Sequence, residues 1–141
     1  MNMNVITKSF KIKTRGNTDI LDVTSEVQRI INDSRLSEGQ ATVFVPGSTA
    51  GITTLEYEPG LLKDLPLAFD RIAPQDIEYA HHLTWGDYNG HAHIRAALLG
   101  ASKTFPFTKG ELILGTWQQI ILVDFDERPR QREIVVQIIG I

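Results

Sequence analysis

The sequence predicts an α+β protein: a single domain spanning 1–141, with a mixed, mostly antiparallel β-sheet and two or three helices packed on it. Three observations predict it. Apolar and polar residues alternate near both ends of the chain, in "VITKSFKIKT" (5–14) and "REIVVQIIG" (132–140). Apolar residues at helical spacing fill 22–36 and recur in 59–74, between strand-like runs. The last strand-like runs are joined by turns, so they should pair antiparallel.

The elements follow in order. Residues 5–14 read as a strand with one wet face, near a sheet edge because of its lysines. "RGN" (15–17) is a turn. In 22–36, Val23, Val27, Ile30 and Ile31 fall on one helical face, and Asp22 or Thr24 can cap the start. "ATVFVP" (41–46) is a β-branched strand stopped by Pro46, "GSTAG" (47–51) a small-residue loop, and "ITTLEYE" (52–58) a second strand. Residues 59–74 carry Leu61, Leu62, Leu65 and Phe69 at helical spacing, with Pro66 expected to interrupt or kink them. "HIRAALLG" (93–100) reads as a short buried helix ending at Gly100. Lys109-Gly110 then separates two strands, the second running from about 111 to 125, and "DERPRQ" is a polar turn into the last strand.

The chain has 141 residues, 42% hydrophobic and 22% charged, which is the composition of a folded domain. A formal net charge of -3 gives no broad attraction to nucleic acid or an anionic membrane, so neither is expected as a partner. There is no cysteine, which excludes disulfides, thiolate metal sites and cysteine nucleophiles. A metal site must use His, Asp, Glu and water. The N-terminal stretch has no apolar core run, and "IILV" (120–123) is too short to span a bilayer, so the expected location is the cytoplasm.

Chemistry concentrates in "HHLTWGDYNGHAHIR" (81–95), which holds all 4 histidines. His81, Asp87 and His93 are spread along a loop that enters a helix, and Gly86 and Gly90 permit sharp bends. No short zinc motif is present. On a helix, His91 shares a face with Arg95 and not with His93, so both histidines are not expected on one ion. The alternative is a chance group of surface polar residues, against which stands Trp85, a side chain expected to pack on something. Two further segments are candidates. "LGTWQQI" (114–120) interrupts an apolar strand with Thr116, Trp117, Gln118 and Gln119, and the choice between a site and a strand leaving the sheet stays open. The 47–51 loop offers backbone N–H groups to an anion, although such loops are more often plain turns.

Together these segments resemble the YjbQ-like family, whose members are often labelled secondary thiamine-phosphate synthases. The resemblance runs from about residue 41 to residue 140. It rests on Tyr79 and His81, on Asp87 and Asn89, on Ala92, His93 and Arg95 with Leu98, Leu99 and Gly100, and on Gly115, Thr116, Trp117 and Gln118. His82 and His91 fall outside the family pattern. Gly47 stands where the family often has His, and Leu55 where it often has Asn before Glu56.

The resemblance implies a homotrimer with a polar, histidine-containing pocket near a subunit boundary. It implies a transferase joining a pyrimidine pyrophosphate to a thiazole phosphate with release of pyrophosphate. In that chemistry a divalent ion, zinc or magnesium, held by His81, His93 and Asp87 would act with Arg95 on the leaving group. Asp87 counts among the catalytic groups, with Glu56 as base or further ligand. Thr49, Asn89, Thr116, Trp117 and Gln118 would bind a small phosphorylated molecule. Two alternatives stand beside it: a metal-assisted hydrolase of a small phosphorylated or acyl compound, and a non-catalytic trimeric ligand-binding protein.

Overall fold

A computed structural model describes residues 2–141. The elements run β1 (Asn4–Thr14), β2 (Asp19–Asp22), α1 (Thr24–Ser34), β3 (Gly39–Phe44), β4 (Ala50–Leu55), α2 (Pro59–Ile72), α3 (Ala80–Trp85), α4 (Gly90–Leu99), β5 (Ser102–Thr108), β6 (Glu111–Leu112), β7 (Gln119–Asp124) and β8 (Arg130–Gly140). The class is α+β as expected. The strands, however, form two sheets, ordered β1-β8-β3-β5-β6 and β2-β7-β4, with every neighbouring pair antiparallel. Four helices are present among the described residues, where two or three were expected.

β7 explains the layering. Alternate residues of this strand point to opposite faces. Ile120 and Leu122 enter a core shared with the large sheet (Val43, Phe107, Ile134, Val136, Ile138) and with Val27 and Ile31 of α1. Ile121 and Val123 enter a second core with Phe69 of α2 and Ala92 and Ala96 of α4. A strand covered on both faces reads as an unbroken apolar run, hence "IILV". The small sheet is thus the middle layer, with the large sheet and α1 on one side and α2 and α4 on the other.

Three local expectations are corrected. The strand expected over 111–125 is broken: β6 stays in the large sheet, a turn with Gln118 N–H donating to Gly115 O at 3.0 Å follows, and β7 begins in the small sheet. Pro66 does not interrupt α2, which runs through it. The Glu58 carboxylate caps that helix by accepting from the backbone N–H groups of Gly60 and Leu61, and Leu62, Leu65 and Phe69 anchor it to the core. Third, β2 and α3 were not expected. β2 is a four-residue edge strand, and α3 has no buried residue to set a periodicity.

Candidate functional site

The histidine-rich segment folds as two helices joined by a tight corner. Gly86 ends α3 at φ +71°, a left-handed conformation that glycine adopts without strain. Asn89 then stands at the N-cap of α4. The reversal brings His81 of α3 against His93 of α4, with ring centroids 4.6 Å apart and planes tilted by 55°. His81 Nδ1 and both ring nitrogens of His93 have no hydrogen-bond partner among the described residues, and none is among the fully buried polar atoms.

Asn89 ties this pair to the buried interior. Its Oδ1 lies 3.1 Å from His81 Nε2, and its Nδ2 donates to Asp126 Oδ1 at 3.5 Å. An asparagine at an N-cap ordinarily accepts from the first turn of its helix. This one makes no such bond, its side chain being spent on His81 and Asp126.

Asp126 belongs to a buried network where the two sheets meet. It accepts from the Glu127 backbone N–H at 2.8 Å, from Thr49 Oγ1 at 3.1 Å and from Arg130 Nη2 at 2.6 Å. Arg132 makes a two-pronged ion pair with Asp124, Nε and Nη2 donating at 2.9 and 2.8 Å, and Nη2 also donates to Thr49 Oγ1 at 2.7 Å. Thr14 Oγ1 donates to Asp124 Oδ2 at 2.6 Å. Burial pushes the Asp126 carboxyl up, but the Glu127 N–H, Arg130 and Thr49 outweigh it and hold the group below the usual carboxylate range. It is therefore ionised at neutral pH. Sequence reasoning missed Asp124, Asp126, Arg130 and Arg132, reading 126–131 as a polar turn. The available signal was the Asp-x-Asp and Arg-x-Arg spacing in "DFDERPRQR", which sets like charges on one face at a strand end and a strand start.

A cavity of about 410 Å³ opens beside His93, between α4 and the 47–51 loop. Small residues line it: Ser48, Ala50, Ala96, Ala97 and Ala101 among them. Gly47 has φ +147°, and a Cβ there would meet Arg132 Nη1 at 3.0 Å. The Arg132 guanidinium thus borders the space that a side chain at 47 would take.

The remaining expected site residues divide clearly. Asp87 is exposed in the corner between α3 and α4, near enough to His93 to act on its charge. It does not complete a metal set: among the described residues no three His, Asp or Glu side chains are placed to hold an ion together. Arg95 is not free to face a leaving group. It is buried, its Nε donating to Ala73 O at 2.9 Å, Nη1 to Thr18 Oγ1 at 3.0 Å and Nη2 to Asp70 at 3.2 Å. Thr49 is buried in the Asp126–Arg132 network. Glu56 is exposed at the end of β4 and makes no side-chain hydrogen bond among the described residues. Thr116 and Trp117 are exposed, and Gln118 accepts from Gly115 N–H and donates to Thr54. Among the described residues no hydrogen bond joins 116–118 to the histidine pair. Trp85, expected to pack, is 73% exposed.

The other two histidines differ from the pair. His82 sits between Tyr79 and Tyr88, at ring distances of 5.7 and 4.8 Å. His91 is fully buried, and burial together with Arg95 lowers its pKa. His93 is lowered as well, by burial and by the neighbouring His81, against smaller opposing pulls from Asp126 and Asp87. Both therefore carry neutral rings at neutral pH.

Fold and site together define an α+β protein with an open imidazole pair beside a small-residue cavity, braced by a buried acid–guanidinium network. The model of the UPF0047 YjbQ-like proteins matches residues 8–141, and the chain belongs to that family. A UPF0047 protein of Methanothermobacter thermautotrophicus is 36% identical over 138 residues, 98% of this chain and 94% of that one. The UPF0047 protein YugU of Bacillus subtilis is 34% identical over 134 residues, covering 94% of this chain and 98% of its own. The crystal structure of a YbjQ-like protein of unknown function from Sulfolobus solfataricus superposes with TM-score 0.94 at 34% identity, covering 99% of this chain and 100% of that one.

These findings correct the expected activity. The relatives are named only for the UPF0047 or YjbQ-like family, and the Sulfolobus protein is described as of unknown function. Nothing in them points to a thiamine-phosphate-synthase-like transferase, and with Arg95 locked into the fold the leaving-group chemistry built on it falls as well. Among the described residues no helix is long and apolar enough to cross a membrane.

Proposed function

We propose that this protein binds a small phosphorylated molecule in the cavity between the 47–51 loop and α4, with His93 at its wall. The observation that carries this reading is the pairing of a partnerless imidazole with a cavity floored by alanine and serine. Ala50, Ala96, Ala97 and Ala101 accept an apolar body, while Ser48 and His93 supply polar contacts. Arg132 stands behind Gly47 as a buried cation. The volume of about 410 Å³ suits a small metabolite. Calorimetric titration with glycerol phosphate tests it. Binding that weakens in His93→Ala, in a variant that melts as the parent does, supports the reading. Equal affinity in both proteins overturns it.

A divalent ion is a second reading, favoured by the way Asn89 orients His81, as outer partners orient histidine ligands. Two imidazoles suit zinc better than magnesium, which prefers oxygen. With no third ligand converging among the described residues, the bound phosphate or another copy of the chain would complete the site. Elemental analysis of the wild type beside His93→Ala decides it: equal metal content removes the histidine pair as its holder.

The homotrimer implied by the resemblance is also proposed. Its support is the apolar surface at 83–98, where Leu83, Trp85, Tyr88 and Leu98 are 86%, 73%, 66% and 62% exposed. Light scattering on the eluting protein tests it, with a trimer mass expected and a monomer mass contradicting it.

A further inference from the structure

The orientation of Asn89 is decided by charge. Asp126 is an ionised, acceptor-only group, already accepting from Glu127, Thr49 and Arg130. The Asn89 atom that faces it must be the NH₂ group, because a carbonyl oxygen there would oppose a carboxylate. The Asn89 atom facing His81 is then the oxygen, an acceptor. Two acceptors do not bond, so the His81 nitrogen at 3.1 Å must carry the proton.

We infer that Asp126, acting through Asn89, fixes His81 with its proton on Nε2, so that Nδ1 is a standing hydrogen-bond acceptor, and that the ligand is a phosphorylated alcohol whose hydroxyl donates to it. Asn89 and Asp126 are positioning residues in this account. The ligand half rests on the phosphate reading above; the proton half rests on the donors gathered around Asp126 and on the Asn89 contacts, and is independent of that reading. Three features support the arrangement. Asp126 is pinned from both oxygens, so the chain of bonds has a fixed end. Asn89 gives up its helix cap to make it. And His81 Nδ1 is left without a partner while staying clear of the fully buried atoms.

The experiment is ¹⁵N spectroscopy of the imidazoles at about pH 8, above the ordinary histidine range. In the wild type the His81 proton sits on Nε2 and exchanges slowly with solvent. In Asn89→Ala the slow exchange is lost, while the fold, read by circular dichroism, persists because Asn89 makes no cap bond. A His81 proton on Nδ1, or one equally protected in Asn89→Ala, overturns the proton half. The ligand half is read by titrating glycerol phosphate against propyl phosphate, which lacks the hydroxyls. The wild type should prefer the first by about tenfold, the value of one hydrogen bond, and His81→Ala should not discriminate. Equal affinities in the wild type overturn that half. Binding of neither compound overturns the phosphate reading and leaves the proton assignment to its own measurement.

Discussion

His81 and His93 lie on different helices with their ring centroids 4.6 Å apart, and burial together with the neighbouring His81 lowers the tendency of His93 to take a proton. A bound phosphate reverses that balance, since an anion stabilises imidazolium. Phosphate binding should therefore take up protons near neutral pH, and affinity should rise as pH falls from about 8 to about 6. Titration in two buffers of different ionisation enthalpy measures the uptake. A proton release on binding would contradict it.

Acid should destabilise the fold through His91. Burial and Arg95 put its folded pKa below the ordinary 6.5, so between the two values the unfolded chain holds more protons. Stability is full above the unfolded pKa and is lost as pH falls from there through the folded pKa. Melting temperature should drop from about pH 7.5 to about pH 5, and His91→Gln should flatten the drop. Asp126 adds a second loss further into acid. Its depressed pKa means that stability present above the unfolded carboxylate value goes as pH falls through the folded one.

Removing Arg132 should be among the costliest single changes. Arg132→Met leaves Asp124, which has no exposed surface, buried without its guanidinium, and should cost about 3–5 kcal/mol by denaturant titration. A cost under about 1 kcal/mol would mean that Thr14 and water satisfy Asp124.

Arg95→Met should behave as a fold variant. It strands Ala73 O and Thr18 Oγ1, partners held at 2.9 and 3.0 Å, and a loss of about 2–4 kcal/mol is expected. Ligand affinity measured well below its melting temperature should change little. A large affinity loss at unchanged stability would restore Arg95 to the site.

The core was largely legible because apolar spacing reports it directly: Val23, Val27 and Ile31 mark α1, and the run 120–123 marks a strand covered on both faces. The split into two sheets was not, because it depends on a turn at 113–118 that contains no proline and only one glycine. α3 was hidden for a related reason. It buries no residue, so it leaves no period to read. Within the site, His81, Asn89 and His93 were legible from their shared short segment. Asp126 and Arg132 were not. Asp126, just past β7, reaches the segment through Asn89, and Arg132 of β8 stands behind it on Asp124 and Thr49, an arrangement that only tertiary packing sets. Arg95 misled because a lone arginine among histidines suggests a ligand contact. Its partners at 18, 70 and 73 are set by tertiary packing.

Chemical-shift mapping with glycerol phosphate tests the central claim most directly. Backbone amide signals of Gly47, Ser48, His93, Ala97 and Gly100 should move together and saturate, and the movement should vanish in His93→Ala. Signals that stay still at saturating ligand, or that move only on the far face of the large sheet, would contradict the account.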